Sequence, residues 1–116
     1  MPLRIVNRTS GILVADRAEI ANTNTKRIRG LLERSYIRAR EGLWIVPCSS
    51  VHTVGMKFPI DVLFIDHTGQ VVLIATLKPG CKHLSHERAY SVLELAPGEA
   101  AARGIELGDV LAFQRR

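Results

Sequence analysis

The sequence predicts a mainly β fold: one domain over residues 1–116, arranged as an antiparallel β-sandwich or jelly-roll-like barrel with one longer and one short helix. Three observations carry this expectation. Residues 60–65 and 70–77 are apolar at both parities, and continuous apolarity means that both faces of a strand are covered, so this hairpin is the expected centre of the sheet. Further short apolar runs are separated by Gly, Pro and Asn signals, the pattern of a chain of brief strands. Only residues 26–36 show a sustained helical period.

Taken in order, residues 3–7 and 12–15 read as strands joined by a Ser10-Gly11 turn. Asn22-Thr23-Asn24-Thr25 is rich in helix-capping residues. In the stretch that follows, Ile28, Leu31, Leu32 and Tyr36 recur on one helical face, and Arg27, Arg34 and Arg38 line its flank. Gly30 inside this helix costs about 1 kcal/mol relative to alanine, which suggests a kink or a close neighbour that needs the space. Gly42 leads into L-W-I-V-P, a strand holding Trp44, the only tryptophan, which is expected in the core. The strand 60–65 is followed by Asp66-His67-Thr68-Gly69, a hairpin loop in which Gly69 is free to take positive φ. Residues 89–95 return to strand, 99–103 form the short helix, and Gly104 ends it. Asp109 braces the turn before a last strand, 110–114, and Arg115-Arg116 is a tail.

A chain of 116 residues is the size of one ordinary domain and buries roughly two-thirds of its unfolded surface. Its 47% hydrophobic and 23% charged residues are those of a globular protein. No apolar run reaches the roughly 18 residues of a membrane helix. The opening, Met1 to Asn7, is too short and too quickly polar for a secretory signal, so a cytoplasmic location is expected. Cys48 and Cys81 do not make a disulfide framework and read as free thiols. The net charge of +5 is local: residues 1–41 hold nine Lys/Arg against four Asp/Glu, whereas the remainder is balanced.

Chemistry concentrates in V-H-T-V-G-M-K-F-P-I-D, where His52, Met56, Lys57 and Asp61 are the candidate binding residues. Cys48, His52 and Met56 are spaced by four, but Pro47, Gly55 and Pro59 oppose a helix. In a strand such residues are about 13 Å apart, too far for one metal with bonds of about 2.3 Å. Cys81 and His83, two apart, would share a strand face about 7 Å apart. A Cys–His nucleophile would need an activating imidazole, and no nucleophile-elbow or phosphate-loop motif accompanies either cysteine. Asp61 begins the core strand, and a buried carboxyl there requires a specific partner, for which backbone N–H groups and Lys57 are the options.

G-M-K-F-P-I-D-V-L-F-I-D, with its glycine turn and return strand, resembles the signature of the domain of unknown function (DUF) 192 family. R-G-L-L from Arg29 and V-L-E-L-A-P-G-E-A-A-A-R-G-I-E-L-G-D from Val92 fall in the order of that family's other motifs. The resemblance spans nearly everything from Arg29 onward and implies a β-rich domain without an established activity. V-H-T-V-G-M is similar to a subgroup, because Gly55 stands where the commoner pattern has an aromatic residue. The expected function is a non-catalytic accessory or ligand- or protein-binding module, with no cofactor, as a monomer or weak homodimer. The alternative is a small enzyme or metal protein using His52, Lys57 and Asp61 with Cys81 or His83. A third reading uses the Arg27, Arg34 and Arg38 stripe for an anion or nucleic acid. The last is the least favoured, since no aromatic platform is interleaved.

Overall fold

The computed structural model describes residues 2–115. Each of the seven expected strands forms. In chain order the elements are β1 (Leu3–Asn7), β2 (Leu13–Ala21), α1 (Asn24–Arg29), β3 (Glu41–Ile45), β4 (Ser50–Val51), β5 (Ile60–Ile65), β6 (Val71–Leu77), β7 (Leu84–Ser85), β8 (Ser91–Leu95), α2 (Glu99–Ala102) and β9 (Leu111–Arg115). Seven strands make one sheet in the order β6-β5-β8-β3-β2-β1-β9, and β4 pairs with β7 apart from it. Arg115 of the expected tail completes β9, and Arg116 lies outside the described residues.

The sheet curls until its two ends meet. Gln70, just before β6, bridges Val110, just before β9. Val71 N–H donates to the Asp109 carbonyl at 2.8 Å, and Leu111 N–H to that of Gly69 at 2.9 Å. The result is the barrel-like closure expected from the sequence. One junction departs from the expected antiparallel pattern, because β2 and β3 run parallel, with Arg17 opposite Glu41 and Ala21 opposite Ile45. The reason is the crossover through α1 and the turns after it, since parallel neighbours need a long connection.

Two apolar clusters cover opposite faces of the sheet. Ile5, Val14, Ala18, Leu63, Ile65, Leu93, Leu95 and Leu111 fill the inside of the curl, where Trp44 also stacks on Phe113 at 4.0 Å between ring centres. On the outer face, Leu43, Ile45, Val62, Phe64 and Val92 pack beneath Leu31, Met56 and Phe58. All of β5 and β8 is buried, so β5 is central as its continuous apolarity predicts. β6 corrects the second half of that expectation. It is an edge strand, and only Val71 is fully buried. β8 takes the central place instead.

The longer helix also ends early. It was expected over residues 26–36 but stops at Arg29, where Gly30 adopts φ +49° and ψ −128°. A helix of six residues presents no apolar face: Ile28 is 76% exposed and Tyr36 53%, whereas Leu31 is driven onto the sheet. Gly30 is therefore a stop rather than a kink. The short helix stands where expected, as α2, followed by Gly104 at φ +66°.

At the hairpin, the Asp66 side chain accepts from Thr68 N–H, Thr68 hydroxyl and Gln70 N–H, and Gly69 takes φ +92°. A Cβ on Gly69 would lie 2.9 Å from the carbonyl oxygen of Leu111, whose N–H donates across the seam, whereas one on Gly80, at φ +95°, would meet nothing within 4 Å. Gly69→Ala should therefore cost more than about 1 kcal/mol, and more than Gly80→Ala, in paired urea unfolding curves. Equal midpoints would mean that the seam tolerates the shift.

Candidate functional site

The outer layer that covers the sheet is incomplete. α1 and Gly30–Leu32 form one wall, and Pro47 to His52 with the buried Met56 the other; Ala89 and Tyr90 complete the rim. Between them lies an open groove of about 600 Å³ whose floor includes Ile45 of β3 and Glu94 of β8. β8 places Glu94 here because its alternation sends Val92 and Glu94 outward and Leu93 and Leu95 into the curl. Across the sheet Glu94 lies opposite Val62 on one side and Leu43 on the other.

Glu94 is only 5% exposed. Its carboxyl has no hydrogen bond or ion pair among the described residues. Burial alone pushes its pKa up to about 7, as expected for an acid taken from water without a counter-ion. Buried polar groups in folded proteins almost always have partners. Glu94 has no protein partner and its oxygens open on the groove, which makes the groove the candidate site.

Two other polar groups share the groove. Arg27 is held by the Pro47 carbonyl, to which Nη1 donates at 3.0 Å, and by Asn24 Oδ1, which accepts from Nη2. Its Nε is buried without a partner. The Cys48 thiol donates to the Ser50 carbonyl at 3.1 Å. Burial raises the Cys48 pKa; the Ser50 bond opposes this, the charge of Glu94 adds to it and that of Arg27 reduces it. The thiol therefore stays protonated at neutral pH, the opposite of an activated nucleophile.

The residues singled out from the sequence divide. His52 and Met56 line the groove, His52 at its exposed rim and Met56 buried in its wall. Lys57 and Asp61 do not line it. Lys57 is exposed. Asp61 is 2% exposed and faces the other side of β5, where Oδ1 accepts from Thr76 hydroxyl at 2.7 Å and Oδ2 from Ala100 N–H at 2.9 Å. Gly98 caps α2 without a side chain, and Asp61 supplies that missing acceptor from the sheet. Its partners are thus a hydroxyl and a backbone N–H rather than Lys57.

Cys81 and His83 are also engaged locally. Cys81 N–H donates to the Thr53 hydroxyl, which donates in turn to the Lys78 carbonyl, and His83 Nε2 lies 3.2 Å from Ser85 Oγ. Among the described residues no three His, Cys, Asp or Glu side chains are placed to hold one metal ion. The arginine stripe loses its premise, because α1 ends before Arg34 and Arg38. Arg34 pairs with Glu41 at 3.3 Å, and Arg38 donates to the Tyr36 hydroxyl. Among the described residues no helix is long and apolar enough to cross a membrane.

The family model for DUF192, described as "Uncharacterized ACR", matches residues 5–113. The chain belongs to the DUF192 family. This DUF192 chain is similar to a UPF0127 protein of Pyrococcus horikoshii, 30% identical over 94% of this chain and 97% of that one. A UPF0127 protein of Pyrococcus furiosus is 28% identical, with 96% and 98% covered. Among solved structures, a protein of unknown function from Novosphingobium aromaticivorans superposes with a TM-score of 0.81 at 26% identity, covering 97% of this chain and 84% of that one.

Glu94 is the residue that sequence reasoning missed. Its signal was a lone charge inside the apolar run S-V-L-E-L.

Proposed function

We propose that this DUF192 chain is a non-catalytic binding module whose groove holds one small ligand. Glu94 receives the ligand's polar end, and Ile28, Leu31, Leu32 and Met56 flank its apolar body. The observation that carries the reading is a carboxyl, 5% exposed and without a hydrogen-bond or ion-pair partner, in the floor of an open groove of about 600 Å³. Small-molecule sites have volumes of about 300–1,000 Å³, mostly apolar walls and a few convergent polar groups. The cost of an unpartnered buried carboxyl is offset when a ligand donates to it.

The enzyme or metal reading needs His52, Lys57 and Asp61 to act with Cys81 or His83. His52 stands on the outer face of the sheet, whereas Asp61 is committed to α2 on the inner one. A protonated Cys48 thiol also favours binding over covalent chemistry. Two cysteines without a bridge accord with a reducing, cytoplasmic setting.

The test is chemical-shift perturbation of isotope-labelled protein by hexanamide, an uncharged probe with a donor at one end and an apolar body. Amides of Arg27, Gly30, Ser49, Val51 and Glu94 should shift together. Ser49→Trp, which places bulk in the groove from an exposed position, should abolish those shifts. Shifts scattered over β1 and β9, or a Ser49→Trp response equal to that of the parent protein, would refute the reading.

A further inference from the structure

We infer that the groove selects an amphoteric ligand, with a protonated amine at its buried end against Glu94, an apolar body, and an acidic group at the mouth near Arg27 and Arg29. The inference rests on the reading of the groove as a ligand site and goes on to fix the charge pattern of its occupant.

The floor supplies the first half. Glu94 has no resident cation, and its neighbours across the sheet are Val62 and Leu43. No group inside the protein therefore stabilises its ionised form. An ammonium is the complementary occupant, because it brings three donors and a positive charge. Hydrogen bonds between two charged groups are roughly twice as strong as those between neutral ones. An anionic head would meet a buried acid and be rejected.

The mouth supplies the second half. Arg27 and Arg29 both line the groove, and neither forms an ion pair among the described residues. The Pro47 carbonyl and Asn24 hold the Arg27 guanidinium in place, so its charge is fixed at the wall rather than free to turn away. The other basic residues of 26–40 do not line the groove, and Arg34 and Arg40 pair with Glu41 and Asp16, so the charge at the mouth is that of Arg27 and Arg29. This positive rim attracts anions and repels a simple amine. A molecule with an inner cation and an outer anion satisfies both ends, whereas one with a single charge opposes the floor or the rim.

Four six-carbon probes separate the possibilities: 6-aminohexanoate, hexylamine, hexanoate and hexanamide, each titrated against labelled protein. The amphoteric probe should bind at least about tenfold tighter than the other three, the scale of one charged hydrogen bond. Glu94→Gln should remove that advantage, and exposed Arg29→Glu should weaken 6-aminohexanoate and hexanoate several-fold while sparing hexylamine. If hexanamide or hexanoate matches 6-aminohexanoate at the groove, or Glu94→Gln leaves the order unchanged, the amphoteric inference fails and the groove remains a ligand site. If none of the four moves the groove amides, both readings fall.

Discussion

Glu94→Gln should make the protein more stable at alkaline pH, by about 3 kcal/mol at pH 8. The Glu94 carboxyl is raised from an ordinary 4.5 to about 7 by burial, and each pKa unit corresponds to about 1.36 kcal/mol. The sign follows from proton counting. Below pH 4.5 the group is protonated whether the chain is folded or not, and it costs nothing. Between 4.5 and about 7 the folded chain keeps a proton that the unfolded chain releases, so stability falls as pH rises. Above about 7 the penalty is complete. Glutamine carries no charge and should flatten this slope. Urea unfolding of both proteins from pH 4 to pH 9 measures it: the curves should converge at the acid end and separate at the alkaline end. A substitution that stabilises the fold while removing ligand affinity is what a site residue is expected to do, since binding groups are held at the expense of stability.

Asp61→Ala should act in the opposite sense, with a loss of about 3 kcal/mol. Its two oxygens satisfy the Thr76 hydroxyl and the Ala100 N–H, and it is 2% exposed. Removing it leaves the buried Ala100 N–H without an acceptor, worth about 1–3 kcal/mol, and breaks the charge-assisted bond from the exposed Thr76 hydroxyl, and α2 loses the group that caps it. Groove binding should survive in the folded fraction, because Asp61 faces away from Glu94. The check is the denaturation midpoint together with the hexanamide shifts. A midpoint within about 0.5 kcal/mol of the parent, or lost groove shifts in a folded Asp61→Ala protein, would return Asp61 to the site.

These two carboxyls show where the sequence was legible. Continuous apolarity in I-D-V-L-F-I located the central strand β5, and the turn chemistry of Asp66 and Gly69 located its hairpin, because both are dictated by neighbours in the chain. The requirement that a buried Asp61 find a specific partner was also readable. Its identity was not, since Thr76 and Ala100 are brought to it only by the curl of the sheet. The helix after Asn24 is shorter than its pattern implies: Ile28, Leu31, Leu32 and Tyr36 have helical spacing, yet Gly30 turns the chain away before that face is built.

The same long-range dependence hid Glu94. In S-V-L-E-L, alternation alone makes a charged residue the wet position of a half-buried strand. Whether that face is wet depends on what lies above it, and here the cover comes from α1, residues 30–32 and residues 47–56, all remote in sequence. His52 and Met56 belong to that cover and lie in a motif dense with ligand-like side chains. Arg27 was noticed for its charge, but its role in the groove wall depends on Pro47, twenty residues away.

Glu94 is a buried acid without a protein partner, and the most direct check follows its side-chain carboxyl carbon by NMR as the ligand-free protein is titrated. The midpoint should fall at about 7. A midpoint at the ordinary 4.5 would mean that the carboxyl is solvated or already partnered, and would contradict it.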